Sequence, residues 1–266
     1  MIVFAAIMPH PPESIPGIGK EKDFEAIKKT LDSFEQLRLG LEQVDPETIV
    51  IISPHAHMEQ YSFVINIANK LTGSFMKFGL NEIHNYTNDT EIVDKLAFAC
   101  SVSTSVDDMQ TSLSSESSEF LDYGALIPLY HLTKNIKPKI VHLSFSLMDY
   151  KFHYRYGEII SKVINKNGGR IAIIASADLS HRLAMNAPAG FSPKAKKFDR
   201  DIIHFLGSDD ITSIINFDQE VIAEVAECGM RSIIILLGIL HGVPYKFELL
   251  SYESPLGIGY LTARLV

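Results

Sequence analysis

The segment Thr48-Ile49-Val50-Ile51-Ile52-Ser53-Pro54-His55-Ala56-His57 runs from five consecutive β-branched residues directly into two histidines. An uninterrupted run of this kind predicts a strand that is covered on both faces, as in a parallel sheet. The histidines then lie where the strand ends. In α/β proteins the loops beyond the carboxyl ends of the strands form the crevice in which ligands bind. The segment therefore predicts an α/β fold with a site at this edge of its sheet.

The same arrangement occurs twice more in the chain. The apolar run 2–8 leads into His10, which is flanked by prolines, and the run 170–177 leads into Asp178-Leu179-Ser180-His181. Apolar residues at helical spacing predict a helix over residues 21–43, between the first two strands. This βαβ unit predicts that those strands are parallel and adjacent, with His10 and His55 at the same sheet edge.

The rest of the chain also alternates between the two kinds of element, without a repeat or a linker. We predict one domain, residues 1–266, with a central, mostly parallel or mixed sheet that helices flank. The serine-rich residues 110–118 are expected to form a loop. The further predicted elements are helices at 90–99, 123–132, 154–167, 194–205 and 218–242, and strands at 61–68, 71–78, 139–146, 245–252 and 257–265.

Composition excludes several classes of protein. The chain has 266 residues, 46% of them hydrophobic, and a formal net charge of −8 without a run of Lys and Arg, which argues against a nucleic-acid partner. Two distant cysteines do not make a disulfide framework, so a cytoplasmic location is expected. The longest apolar stretch, 233–240, is far below the roughly 20 residues that cross a bilayer, and no membrane association is expected.

His10 and His55 are the candidate metal ligands. Neutral imidazole binds Fe, Zn, Cu or Ni, and the neighbouring prolines restrict the backbone, which favours a rigid site. Two ordinary loop histidines remain the alternative. His57 is a competing ligand, because in an extended segment it would face the same side as His55.

The third ligand is expected to be a carboxylate, and Glu227 is preferred. It precedes an apolar helix, where the helix dipole also favours an acidic residue. Glu224, about one turn earlier, and Cys228, next to it, are alternatives. His181 is the candidate acid or base, since its pKa needs only a small shift to act at neutral pH. Asp178 could orient His181 or cap the following turn.

Five motifs taken in order resemble the class III extradiol ring-cleavage dioxygenases, the superfamily of the protocatechuate 4,5-dioxygenase catalytic (β) chain and of the Memo proteins. The resemblance covers nearly the whole chain and is greatest to an uncharacterised branch of that superfamily. The motifs are Met8-Pro9-His10-Pro11-Pro12, Ser53-Pro54-His55-Ala56-His57, the stretch from Leu121 to Leu129, Ser176-Ala177-Asp178-Leu179-Ser180-His181, and Glu227-Cys228-Gly229.

The resemblance implies non-haem Fe(2+) held by His10, His55 and Glu227, with Zn(2+) or another divalent metal as the alternative. It implies His181 as the acid/base residue, a catechol-type substrate with O2, and a part in aromatic compound catabolism. The members of the superfamily imply that the protein forms a homodimer, or that it pairs with a second subunit or an AMMECR-type partner. In Memo proteins a cysteine holds the position of the glutamate, which would make Cys228 the ligand.

Tyr123 departs from the family pattern. The dioxygenases carry Asp-His-Gly where this chain has Asp122-Tyr123-Gly124. A tyrosine donates a hydrogen bond, but its ordinary pKa of about 10 makes it a poor proton shuttle at neutral pH. Two further hypotheses follow: a Memo-like ligand-binding or metal-binding protein without ring cleavage, and a metal-dependent hydrolase that uses His55 and His57 with a carboxylate.

Overall fold

The structure is a computed structural model that describes residues 1–102 and 113–266. In it, long helices lie on both faces of a large mixed sheet, which confirms the predicted α/β class. The strands are β1 (Ile2–Met8), β2 (Thr48–Ile52), β3 (Phe63–Asn66), β4 (Lys70–Ser74), β5 (Ile83–Thr87), β6 (Leu113–Glu116), β7 (Phe120–Leu121), β8 (Lys139–Leu143), β9 (Ile171–Ser176), β10 (Glu248–Glu253) and β11 (Tyr260–Arg264). The helices are α1 (Glu21–Ala26), α2 (Lys28–Val44), α3 (Thr90–Val102), α4 (Tyr123–Leu132), α5 (Tyr150–Asn167), α6 (Ala195–Gly207), α7 (Ile211–Ile215), α8 (Gln219–Val225) and α9 (Met230–Ile239).

The large sheet has the strand order β10-β11-β1-β9-β2-β8-β3-β6. Its centre is parallel, because β9 pairs in parallel with both β1 and β2, and β2 pairs in parallel with β8. The prediction that β1 and β2 are adjacent is wrong, since β9 lies between them. They are still parallel to each other. All six residues of β9 are buried, and its position in the middle of the sheet explains that burial.

Successive residues of β2 contribute to cores on opposite faces of the sheet. Val50 packs in the core beneath α5 and α9, whereas Ile51 packs in the core beneath α2 and α4. This alternation follows from the side-chain geometry of a strand, and it fixes the register of the central strands. In the described part of the chain, no helix has both the length and the apolar character needed to span a membrane.

A smaller sheet of order β5-β4-β7 lies beside the main one. Its first connection contains a short 3-10 turn, Met76–Phe78, within the stretch 71–78 that the sequence predicted as a strand. The buried ring of Phe75 anchors that turn to a small core that includes residues of α4. The turn therefore lies close to the start of α4.

Two predicted helices are divided in the structure. The helix 21–43 is interrupted at Ile27, and the helix 218–242 ends its first part at Ala226, whose φ of 54° is left-handed. The loop predicted at 110–118 is also corrected in part, because 113–116 form the edge strand β6 beside β3. Residues 110–112 lie outside the described residues.

Candidate metal centre

His10 and His55 meet at the carboxyl edge of the sheet. Their Nε2 atoms are 3.1 Å apart, and their rings are perpendicular, with an interplanar angle of 86°. The rings approach because β1 and β2 end on either side of β9, so that the two loops converge above its end. Two nitrogens that each bond a metal ion at about 2.1 Å lie roughly 3 Å apart, so the spacing is that of a shared ion.

The Cys228 thiol lies beside these imidazoles, with Sγ 3.6 Å from His10 Nε2. The donor atoms of His10, His55 and Cys228 all lie within 4.8 Å of one another. Glu227 is not in this cluster. Its Oε2 accepts a hydrogen bond of 2.6 Å from the backbone N–H of Met230, at the start of α9. The structure thus places Cys228, the alternative ligand, beside the two imidazoles. It directs Glu227, the preferred ligand, to the amino terminus of α9.

The turn between α8 and α9 explains why Cys228, and not Glu227, faces the imidazoles. Ala226 is left-handed, so the chain reverses there, and the adjacent side chains of Glu227 and Cys228 point to different places. Gly229 then packs against the end of β9: a Cβ at this position would be 2.5 Å from Ala177 Cβ. Only a glycine lets the turn approach closely enough to deliver the thiol.

The other alternative ligands lie away from the cluster. His57 is exposed, and its Nε2 is 3.9 Å from Glu59. Glu224 pairs with Lys194 at 2.7 Å and accepts a hydrogen bond from Ser192. The hydrolase hypothesis, which needs His55 and His57 together, therefore has no geometric support.

Asp178 and His181 extend the cluster on the Cys228 side, and these three residues form a second group of donor atoms. Asp178 Oδ1 accepts the backbone N–H of His10 at 3.0 Å, and its Oδ2 lies 3.9 Å from His181 Nε2. His181 Nδ1 is 3.1 Å from the carbonyl of Leu179, which can only accept. The ring therefore carries its proton on Nδ1, and the Nε2 lone pair faces the site.

Ser176 sets the tautomer of His10. Its hydroxyl donates to the carbonyl of Gly124 at 2.6 Å, and its oxygen lies 2.8 Å from His10 Nδ1. Because a hydroxyl has one proton, the oxygen must accept the Nδ1–H of His10. His10 Nε2 then presents a lone pair to the cluster, which is the form that binds metal.

Burial keeps both imidazoles neutral. It lowers the pKa of His10, and together with the neighbouring His10 ring it lowers the pKa of His55 to about 4. Burial also raises the pKa of the Cys228 thiol, with the Asp178 carboxylate as the next cause. Without a cation the thiol keeps its proton, and a bound cation would favour the thiolate. The donor set of two neutral imidazoles and one ionisable thiol suits Fe(2+) and Zn(2+).

Tyr123 covers the His55 side of the cluster. Its hydroxyl oxygen lies 2.9 Å from His55 Nε2, and its ring stacks on the imidazole with centroids 4.3 Å apart. On the opposite face of the Tyr123 ring, Lys77 Nζ lies 3.3 Å from the centroid. Burial raises the pKa of Tyr123, so that its hydroxyl is a donor at neutral pH. Lys77 was not predicted, since it comes from a turn with no motif.

A buried hydrogen-bond network centred on Asp122 holds the segments that carry Tyr123 and His55. Asp122 accepts from Ser53 Oγ at 2.5 Å and from the Ala125 backbone at 3.1 Å, and its other oxygen lies 2.9 Å from His142 Nε2. Burial opposes ionisation of Asp122, but these hydrogen bonds outweigh it and hold the pKa at about 2. Asp122 thereby caps α4, which begins at Tyr123, and fixes its position.

Gly124 allows α4 to approach the His55 loop. A Cβ at this position would lie 2.7 Å from Ser53 Oγ and 3.1 Å from His55 Cδ2. Its carbonyl also receives the Ser176 hydroxyl described above. Steric crowding therefore explains why the third residue of the Asp-Tyr-Gly motif is a glycine. The sequence showed the motif, but only the fold shows what the glycine accommodates.

Comparisons with known proteins show the family to which the chain belongs. A sequence model described as the catalytic LigB subunit of aromatic ring-opening dioxygenase matches residues 4–262. The chain is 31% identical to Protein CA_C1420 of Clostridium acetobutylicum over 97% of its own length, and the match covers 56% of that protein. The chain thus spans about half the length of this relative.

Two more distant similarities were found. Over 86 residues, 31% of each chain, the protein is 30% identical to 3,4-dihydroxyphenylacetate 2,3-dioxygenase of Escherichia coli. The crystal structure of uncharacterized protein JW3007 from Escherichia coli K12 has the same fold, with a TM-score of 0.66, 14% identity and 99% of both chains covered. Since the family match extends over nearly all of the sequence, the chain belongs to the LigB family of class III extradiol dioxygenases.

Proposed function

We propose that this protein is a metal-dependent dioxygenase of the extradiol type that opens the ring of a small catechol-type substrate. The convergence of His10, His55 and Cys228 carries the proposal, because their donor atoms lie within 4.8 Å of one another. We assign Fe(2+) as the metal and these three residues as its ligands, with Cys228 in place of Glu227. When bound, the ion would hold the diol and O2 and carry electrons between them.

His181 is proposed as the acid/base residue. Its Nε2 lone pair can accept a proton from a hydroxyl of the bound diol, and the resulting imidazolium can return that proton later. The Asp178 carboxylate, 3.9 Å from Nε2, would stabilise the protonated ring electrostatically. Asp178 also fixes the backbone of His10, so that it orients both halves of the site.

Tyr123 is proposed to act as a hydrogen-bond donor and a wall of the site. It holds His55 through its hydroxyl before metal binds and through ring stacking before and after. Once His55 Nε2 binds a metal, the hydroxyl is released and can donate to a substrate or oxygen atom. Since its pKa is raised, it donates a hydrogen bond without giving up the proton.

The test is ring cleavage by protein reconstituted with Fe(2+) under anaerobic conditions and then exposed to air with catechol or protocatechuate. Cleavage gives a yellow product. We expect His181→Ala to lose at least about a hundredfold in rate while iron content is retained. His204→Ala, an exposed histidine on α6, is the matched control. Iron bound at His10 and His55 without cleavage of either diol would refute the proposal.

A second candidate is a Memo-like metal-binding protein that does not cleave rings. Two observations favour it: a thiol rather than a carboxylate faces the imidazoles, and a tyrosine stands where the dioxygenases have histidine. Tyr123→His separates the candidates. If the variant gains ring cleavage that the parent lacks, the parent is of the Memo-like kind.

We propose a cytoplasmic protein that forms a homodimer or pairs with a second subunit or AMMECR-type domain. Light scattering of the purified protein measures the first of these associations. A monomer at micromolar concentration would argue against the homodimer.

A further inference from the structure

A buried carboxylate on α6 contacts the segment that carries His181. Asp199 is fully buried. Its Oδ1 accepts the backbone N–H of Ser180 at 3.0 Å, and its Oδ2 accepts the hydroxyl of Tyr252 at 2.7 Å. Ser180 directly precedes His181, and Tyr252 lies in β10. One side chain thus joins α6, an edge strand of the large sheet and the loop of the proposed acid/base residue.

Gly259 holds the same segment from the side of β11. The backbone N–H of Leu179 donates to the Gly259 carbonyl at 2.8 Å, and the N–H of Gly259 donates to the Ser180 carbonyl at 2.8 Å. A Cβ on Gly259 would lie only 2.0 Å from Asp199 Oδ2. A glycine is therefore required for this backbone to lie against both the segment and the carboxyl group.

The peptide group between Leu179 and Ser180 connects Asp199 to the imidazole of His181. A trans peptide is planar, so its N–H and its C=O point in opposite directions within one plane. The N–H of this peptide donates to Asp199 Oδ1, and its C=O accepts the Nδ1–H of His181 at 3.1 Å. Rotation of the peptide plane would break both hydrogen bonds together. The carboxylate thereby fixes the acceptor that determines which ring nitrogen of His181 carries the proton.

The segment is also bonded to the turn that carries Cys228. The Ser180 hydroxyl and the backbone N–H of His181 both donate to the Val225 carbonyl at 3.1 Å. Val225 is the last residue of α8, three residues before Cys228. A displacement of Ser180 would therefore reach both His181 and the turn that delivers the thiol.

The carboxyl group of Asp199 can accept from Ser180 in either of its protonation states. Burial, with a smaller contribution from Glu227, raises the pKa of Asp199 to about 7. A proton taken up near neutral pH goes to Oδ2, because the Tyr252 hydroxyl can turn and accept, whereas a peptide N–H can only donate. Oδ1 therefore accepts from Ser180 whether or not Asp199 is ionised.

We propose that Asp199 is a positioning residue for His181 and acts through the Leu179–Ser180 peptide, an inference that rests on the proposed function. It keeps the His181 proton on Nδ1, so that the Nε2 lone pair stays available to a hydroxyl of the diol. Without Asp199 the peptide is free to rotate, and the imidazole can carry its proton on Nε2, where Asp178 Oδ2 lies 3.9 Å away. In that tautomer Nε2 cannot accept a proton.

The tautomer of His181 in metal-free protein tests the proposal without turnover. Long-range nitrogen–proton NMR should show the proton on Nδ1 in the parent and partly on Nε2 in Asp199→Ala. The Ser180 amide of that variant should exchange with solvent roughly tenfold faster or more, because it has lost its acceptor. Asp199→Asn should resemble the parent, since its amide oxygen accepts from Ser180 and its amide nitrogen donates to Tyr252. A parent-like His181 tautomer in Asp199→Ala would overturn the proposal.

Activity separates positioning from a general loss of structure. Asp199→Ala should lower kcat by roughly tenfold or more, with KM and iron content close to those of the parent, and Asp199→Asn should restore kcat to within about threefold. Tyr252→Phe removes the other hydrogen bond of the same carboxylate, and Asp201→Ala removes a carboxylate two residues further along α6 that pairs with Lys197. Both controls should leave kcat unchanged. An equal loss of kcat in Tyr252→Phe and Asp199→Ala would show that Asp199 serves only the fold.

A second variant covers the case in which Asp199→Ala does not fold. Asp199→Ser has a shorter side chain that fills part of the space, and it is expected to shift the His181 tautomer in the same direction. If the tautomer shifts but the parent cleaves no diol, the positioning stands and the proposed function fails. If diols are cleaved and the variants keep the parent's kcat and tautomer, the function stands and the positioning fails.

Discussion

Replacing Ser176 with alanine tests how the protein prepares His10 for a metal. Ser176 is fully buried, and its one hydroxyl holds two groups: it accepts from His10 Nδ1 and donates to the Gly124 carbonyl. Alanine removes both contacts without adding bulk. The imidazole is then free to carry its proton on Nε2, where Asp178 Oδ2 lies 3.4 Å away and can accept it. In that tautomer the nitrogen that faces the cluster no longer has a lone pair.

The expected effect is on both metal affinity and stability. Loss of the group that orients a metal-binding histidine typically weakens affinity about 10- to 100-fold. The Gly124 carbonyl and the His10 N–H are left without their partner, so we expect the free energy of unfolding to fall by about 1–3 kcal/mol. Metal affinity is measured by competition with a chelator, and stability by urea unfolding of the metal-free protein. Long-range nitrogen–proton NMR reports the tautomer of His10 directly.

Ser144→Ala is the matched control. Ser144 is also a buried serine at the end of a central strand, but in the described residues its Oγ has no hydrogen-bond partner. Its replacement should leave metal affinity unchanged and stability equal or higher. If Ser176→Ala binds metal within about twofold of the parent and His10 keeps its proton on Nδ1, the tautomer argument is wrong.

Three further predictions follow from the geometry. Cys228→Ser should weaken metal binding by roughly a hundredfold or more, as measured by chelator competition. Glu227→Gln should leave metal affinity almost unchanged and lower the free energy of unfolding in urea by about 1 kcal/mol. If Glu227→Gln weakened metal binding more than Cys228→Ser, Glu227 would be the third ligand. Burial lowers the pKa of His131 from 6.5 to about 3, so the unfolded chain takes up the proton first as the pH falls. Stability should therefore decline between pH 6.5 and 3, and less steeply in His131→Gln; equal slopes in urea titrations would contradict the assignment. Gly124→Ala should lower both the melting temperature and the metal affinity. The control is Gly169→Ala, whose Cβ would meet only the ends of the Glu47 and Asn167 side chains; it should leave metal affinity unchanged and alter the free energy of unfolding by less than about 1 kcal/mol.

The sequence allowed the convergence of His10 and His55 to be predicted because it depends on a general property of the fold. Parallel strands end at one edge, so histidines that follow such strands meet there whatever the strand order. The order itself was wrong at one point, since β9 enters between β1 and β2. A local βαβ pattern contains no information about a strand that arrives more than 100 residues later.

The third member of the cluster could not be predicted from the sequence. Glu227 and Cys228 are adjacent, and which of them faces the imidazoles depends on the backbone of the turn between α8 and α9. That backbone is left-handed at Ala226, a residue type that gives no signal for such a conformation. Apolar spacing suggested one continuous helix across the turn and so concealed it. Because a carboxylate is the usual third ligand, the sequence favoured Glu227, which this turn directs away from the imidazoles.

The strand order has a consequence for how the protein is made. The cluster joins residues from the loop after β1, from the loop after β2, and from the turn before α9, so its donors are spread over most of the chain. A growing polypeptide cannot assemble them until residue 228 has left the ribosome and β9 has been inserted between strands that were synthesised long before. All three donors are therefore available to one ion only after the chain has been synthesised through Cys228 and β9 has joined the sheet.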